Sequence, residues 1–113
     1  MKPDATPERG DIVWLSFSPQ AGREQAGRRP ALVLTPTPFN RRVGLAFVCP
    51  ITSRAKGYPF EVALRGAGDV SGVILVDQPR SLDWRARRAE LAGRAPAGVM
   101  TEVVAKLRPL LGT

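Results

Sequence analysis

The chain has 113 residues, a common size for one domain, and carries 17 Lys+Arg against 10 Asp+Glu, a formal charge of +7. It has no histidine and one cysteine, Cys49, which excludes a histidine general base and a disulfide framework and argues against zinc. No long apolar run or basic amphipathic helix points to a membrane, and MKPDATPERG lacks the apolar core of a secretory signal, so a reducing, cytoplasmic setting is expected.

Residues 1–9 read as a frayed lead-in and 10–113 as a single domain. Asp11 to Phe17 is a first strand, apolar on both faces near its middle, and Ser18-Pro19 stops it. The polar loop from Gln20 to Arg29 is long for a hairpin connection, and such loops are usually functional or disordered. Ala31 to Leu34 is a short apolar run, a buried second strand opened by Pro30, where the ladder needs no N–H. Arg28 and Arg29 are therefore expected on the rim, between a rigid strand and a loop. Pro36 and Pro38 break the ladder, and Phe39-Asn40-Arg41-Arg42 makes a turn or one short helix closed by Gly44. Leu45 to Ile51 is continuous and apolar, hence a central strand.

Thr52 to Pro59 is a second polar loop, and Phe60 to Arg65 alternates as a half-exposed strand. A turn over Gly66 to Asp69 leads into a fifth strand, Gly72 to Asp77. Pro79 to Leu82 continues as a bent or edge strand, a basic block Trp84 to Arg88 follows, and Glu90 to Ala92 is a last short strand. Pro96 to about Leu107 is a helix, with Met100, Val103, Val104, Leu107 and Leu111 on one stripe and Pro109 ending or kinking its last turn. Many short strands with Gly/Pro turns and one terminal helix give a mainly β (α+β) domain, a small closed barrel capped by a helix.

All the cations but Lys2, Lys56 and Lys106 are arginines, whose planar forks suit phosphates and bases. The partners this charge admits are nucleic acid, an anionic membrane or an acidic protein. Cys49, between Val48 and Pro50, reads as a buried small hydrophobe. Arg54 and Lys56 are phosphate contacts or plain surface cations. Asn40 and Gln78 are amides able to read base edges, and both also fit turn or strand-end roles. Glu24 is a solvated loop charge or the carboxylate that holds an arginine fork. Thr52, taken alone, is a strand or turn former, with Ser53 a weaker candidate beside it. Trp14 is expected to fill the barrel. Trp84, followed by Arg85 and Arg87, either packs inside or stacks a base of single-stranded nucleic acid.

Four stretches occur in order: Gly10-Asp11-Ile12-Val13-Trp14 with Phe17-x-Pro19; EQAGRRPALVL; PITS-x-x-KGYPFEV; and Asp77-Gln78 with Ser81-x-x-Trp84-Arg85-Ala86-Arg87. Together, from about Gly10 to Gly112, they resemble the MazF/PemK family of toxin endoribonucleases. GRRP alone is weak; four such motifs in one small chain are specific. The resemblance implies an SH3-like barrel of the plasmid-maintenance-toxin type, single-stranded RNA as substrate and no cofactor or metal. It also implies a homodimer and an acidic antitoxin, through which the complex would bind operator DNA.

By the same resemblance Arg29 and Thr52 are the catalytic pair, with Glu24 beside them. RNA contacts are expected from Arg28, Asn40, Ser53, Arg54, Lys56 and Gln78, and around Trp84 from Arg85 and Arg87. Without histidine or metal, the 2′-hydroxyl serves as nucleophile, giving a 2′,3′-cyclic phosphate and a 5′-hydroxyl. The protein then aligns the attack, neutralises the phosphorane and protonates the leaving oxygen. Arg29 suits the second task and Thr52 suits holding the phosphate or the 2′-hydroxyl. Arg28 stands where some relatives carry histidine, so a shared mechanism has to rest on Arg29. Two rivals remain at this stage: a non-catalytic toxin on the same barrel that inhibits DNA gyrase, and a plain RNA-binding barrel.

Overall fold

Seven strands and two helices run through residues 5–17 and 27–113, the parts of the chain that this computed structural model describes. They are β1 (Asp11–Ser16), β2 (Arg28–Val33), α1 (Thr37–Val43), β3 (Leu45–Thr52), β4 (Glu61–Ala67), β5 (Val70–Leu75), β6 (Arg80–Asp83), β7 (Glu90–Arg94) and α2 (Ala97–Leu110). The strands pair antiparallel in the order β4-β5-β3-β2-β1-β7, with β6 laid against β3. β3 is the centre, as its unbroken apolar run predicts. It pairs β2 on one side, and on the other β6 through its first half and β5 through its last two residues.

Successive strand residues point to opposite faces, so β1, β2 and β3 feed two cores at once. Val13, Leu15, Val33 and Val48 pack with Phe17, Leu82 and Trp84 on one side. Ile12, Leu32, Cys49 and Ile51 pack on the other with Val62, Leu64, Ile74 and Val103 of α2. The sheet curls until its outer strands meet: a Cβ at Gly93 of β7 would lie 2.8 Å from the carbonyl oxygen of Ala67, at the end of β4. The result is the mainly β, curled-barrel fold with a C-terminal helix that the turn pattern suggested. No helix of the described residues is long and apolar enough to cross a membrane.

Several local expectations change. β2 starts at Arg28, three residues early, because Arg28 and Arg29 pair with Ser16 and Leu15 of β1. Pro30 is accommodated because β3 joins this strand only from Ala31 onward, so the proline has a ladder partner on one side alone. Trp14 does not fill the barrel; it is 37% exposed, with Pro30 and Glu90 opposite it in the ladders. Trp84 is the buried tryptophan, its Nε1 donating to the Asn40 carbonyl at 2.9 Å, with the Arg85 guanidinium 4.4 Å over its ring. α2 runs to Leu110, one residue past Pro109. The described end of the lead-in is tied down: Pro7 is buried, and Arg9 donates to the Leu34 carbonyl at 2.7 Å.

Candidate active site

The ladder between β2 and β3 sets Ala31 opposite Pro50 and Leu32 opposite Cys49. Arg29 and Thr52 follow on these two strands, each two residues beyond the last pair of that ladder. Both side chains line one groove of about 990 Å³, together with Ser53, Arg54, Lys56, Tyr58, Asp77 and Gln78. Six residues singled out from the sequence thus come together from three segments far apart in the chain.

Alternation along β2 sends Arg28 to the other face. Its Nη2 donates to Glu90 at 2.6 Å and to the Arg88 carbonyl at 2.7 Å, outside the groove lining. Arg87 donates to the Ser16 carbonyl, and Arg85 rests on Trp84, so these two also lie apart from the groove. Asn40, expected as a base reader, is fully buried and braces the fold instead. Its Nδ2 donates to the Pro7 and Thr35 carbonyls, each at 2.9 Å, and its Oδ1 accepts from the Thr35 hydroxyl at 2.6 Å. Glu24 lies outside the described residues.

Thr52 is 8% exposed, and its Oγ1 accepts the Arg54 backbone N–H at 3.2 Å, which leaves the hydroxyl hydrogen for another acceptor. Its backbone is pressed against Gly72 of β5. A Cβ there would fall 2.3 Å from the Thr52 carbonyl oxygen, and Gly72 holds φ +131°, a conformation that side chains oppose.

The loop after β3 is held in shape by Glu61. Its carboxylate accepts the backbone N–H groups of Lys56 at 3.0 Å, Gly57 at 3.1 Å and Tyr58 at 3.3 Å. From the other side Lys106 of α2 donates to the carbonyls of Pro59 at 2.6 Å and Glu61 at 3.2 Å. Tyr58 reaches across the groove and donates its hydroxyl to Asp77 Oδ2 at 2.9 Å. That bond, reinforced by desolvation and the carboxylate charge, raises the phenol above its ordinary value of 10.0. Burial, with Asp77 adding its charge, pushes the Cys49 thiol up to about 12, so it stays a neutral hydrophobe. Among the described residues no group of three or more Cys, Asp or Glu side chains is placed to hold a metal ion.

Tyr58, Glu61 and Asp77 carry no role in the sequence reading, although all three stand inside its motifs. Their meeting joins residues 19 positions apart, which no local pattern reveals. The assembled groove offers an arginine fork, a donor hydroxyl, two further cations and an amide to an extended polyanion.

Comparison with known proteins agrees with this geometry. The family described as "PemK-like, MazF-like toxin of type II toxin-antitoxin system" matches residues 8–111. The chain is similar to the endoribonuclease toxin MazF of Escherichia coli K12, 43% identical over 106 residues, covering 94% of this chain and 95% of the relative. It is also similar to the crystal structure of MazF from Deinococcus radiodurans, at 60% identity and a TM-score of 0.91, covering 96% of this chain and 99% of that one. A MazE–MazF structure from the same organism matches at 54% identity and a TM-score of 0.85, covering 96% and 98%.

Proposed function

Because the chain belongs to the PemK-like, MazF-like toxin family of type II toxin–antitoxin systems, we propose that it is an endoribonuclease toxin that cuts single-stranded RNA in the Arg29–Thr52 groove. The observation that carries this reading is the convergence of Arg29 and Thr52, from two different strands, on one cation-lined groove. The relatives' names as endoribonucleases favour cleavage over gyrase inhibition or mute RNA binding. Arg29 is a poor general base, since a guanidinium offers only donors and no acceptor. Its fork instead matches two phosphate oxygens as charge builds on the phosphorane. The Thr52 hydroxyl, already accepting from Arg54, donates to the same phosphate. Lys56 and Arg54 hold flanking phosphates, and Gln78 reaches a base edge.

In this mechanism the 2′-hydroxyl attacks the adjacent phosphorus. The expected products are a 2′,3′-cyclic phosphate, or the 3′-phosphate derived from it, and a 5′-hydroxyl. Cleavage is expected to continue in excess EDTA. End-group analysis of a cut oligonucleotide checks both points; 5′-phosphate products or a strict need for Mg²⁺ would rule this mechanism out.

The active protein on this reading is a homodimer, since a chain of this size gains from an added interface. The antitoxin presents an acidic, disordered segment to the cationic face and carries any operator DNA contact itself. Light scattering across a salt series is expected to give a dimer alone, and with an acidic partner a complex that weakens as salt rises. A fully active monomer at micromolar concentration removes the dimer; binding indifferent to salt removes the electrostatic account.

A further inference from the structure

Among the described residues that line the groove, Tyr58 is the one aromatic residue, and it is 45% exposed. An exposed tyrosine ordinarily samples several rotamers. This one is fixed at both ends without being covered. Its backbone N–H is held by Glu61, its hydroxyl by Asp77, and the Phe60 ring stands 5.7 Å away at a tilt of 58°. Because the hydroxyl proton is already given to a carboxylate that raises its pKa, the phenol is a poor proton donor to substrate. What remains available is the ring face, next to the cations Arg54 and Lys56.

Resting on the RNA-cleaving reading above, we propose that Tyr58 is a nucleobase platform. One unpaired base of the substrate stacks on its ring while Arg54 and Lys56 take neighbouring phosphates. Asp77 and Glu61 are positioning residues that hold the ring in place before RNA arrives, so less ordering is required at binding. Every base has a π-face, so the platform fixes how the strand is threaded past Arg29 and leaves base identity to hydrogen-bonding groups.

The test uses a short RNA that the wild-type protein cuts, made uncleavable for binding by a 2′-deoxy nucleotide at the cut. A series of the same strand lacks one base at a time. Dissociation constants are measured for wild type, Tyr58→Ala, Tyr58→Phe and Asp77→Ala, with circular dichroism to confirm folding. Tyr58→Ala is expected to weaken binding of the intact strand by roughly five- to 150-fold. Tyr58→Phe keeps most of the affinity, and Asp77→Ala falls between. At one abasic position wild type and Tyr58→Ala bind equally, because the partner base is gone. A merely structural tyrosine cannot produce that position dependence. If the ratio of wild type to Tyr58→Ala is the same at every abasic position, or is one for the intact strand, the platform is wrong while the nuclease reading stands. Wild-type protein that neither cuts nor binds RNA overturns both.

Discussion

Replacing Arg29 with alanine is expected to slow single-turnover cleavage a hundred- to a thousandfold, about 2.7–4 kcal/mol of transition-state stabilisation. Alanine removes the guanidinium donors that the proposal aims at the phosphorane and leaves the backbone of β2 able to keep its pairing with Leu15 of β1. Arg29→Lys is expected to recover little, because it restores the charge without the planar fork. RNA affinity falls much less than rate, since Arg54 and Lys56 still meet the strand. The checking measurement is single-turnover cleavage beside equilibrium binding and circular dichroism. Near-normal cleavage by folded Arg29→Ala protein would move the chemistry elsewhere. Arg28 would be an awkward substitute, because it faces away and is engaged with Glu90.

Among the described glycines, Gly72 is the one where alanine is expected to do the most damage. The new carbon would sit 2.3 Å from the Thr52 carbonyl oxygen and 3.0 Å from its carbonyl carbon, both rigid backbone. Relief requires β5 to separate from the end of β3, and the φ of +131° adds a conformational penalty of its own. A loss of about 3 kcal/mol or more in unfolding free energy is expected, together with a displaced Thr52. Because the strain is released at the strand end that carries Thr52, rate should fall even in the fraction that folds. Denaturant unfolding and single-turnover cleavage test the two parts separately; unchanged values in both would mean that the two strands part at no cost.

Much of this architecture is legible in the residues. Apolar runs bounded by Gly and Pro mark the inner strands, alternation marks β4, the stretches after Pro79 and from Glu90 mark β6 and β7, and the unbroken run from Leu45 marks the central strand. What fails is whatever depends on a partner distant in sequence. Arg28-Arg29-Pro30 looks like loop chemistry, yet Ser16 and Leu15 extend the strand across it. Trp84 and not Trp14 is the buried indole, since its N–H finds an acceptor at the Asn40 carbonyl, 44 residues earlier. Asn40 itself is drawn inward by the Pro7 carbonyl, 33 residues upstream, and an amide followed by two arginines gives no hint of that. In the groove the Arg29–Thr52 pair comes from motif resemblance, and only the pairing of β2 with β3 explains why both line one groove.

The meeting of Gly93 with the Ala67 carbonyl has a colloidal consequence. Outer strands are where one sheet can template growth on another, and unprotected ones seed fibrillar deposits. Here the end of β4 meets β7, backbone against backbone, and the carbonyls of Pro59 and Glu61 at its other end accept from Lys106. That narrows the open backbone a foreign strand could pair with at this edge. Crowding of many copies therefore finds less exposed edge there to propagate from.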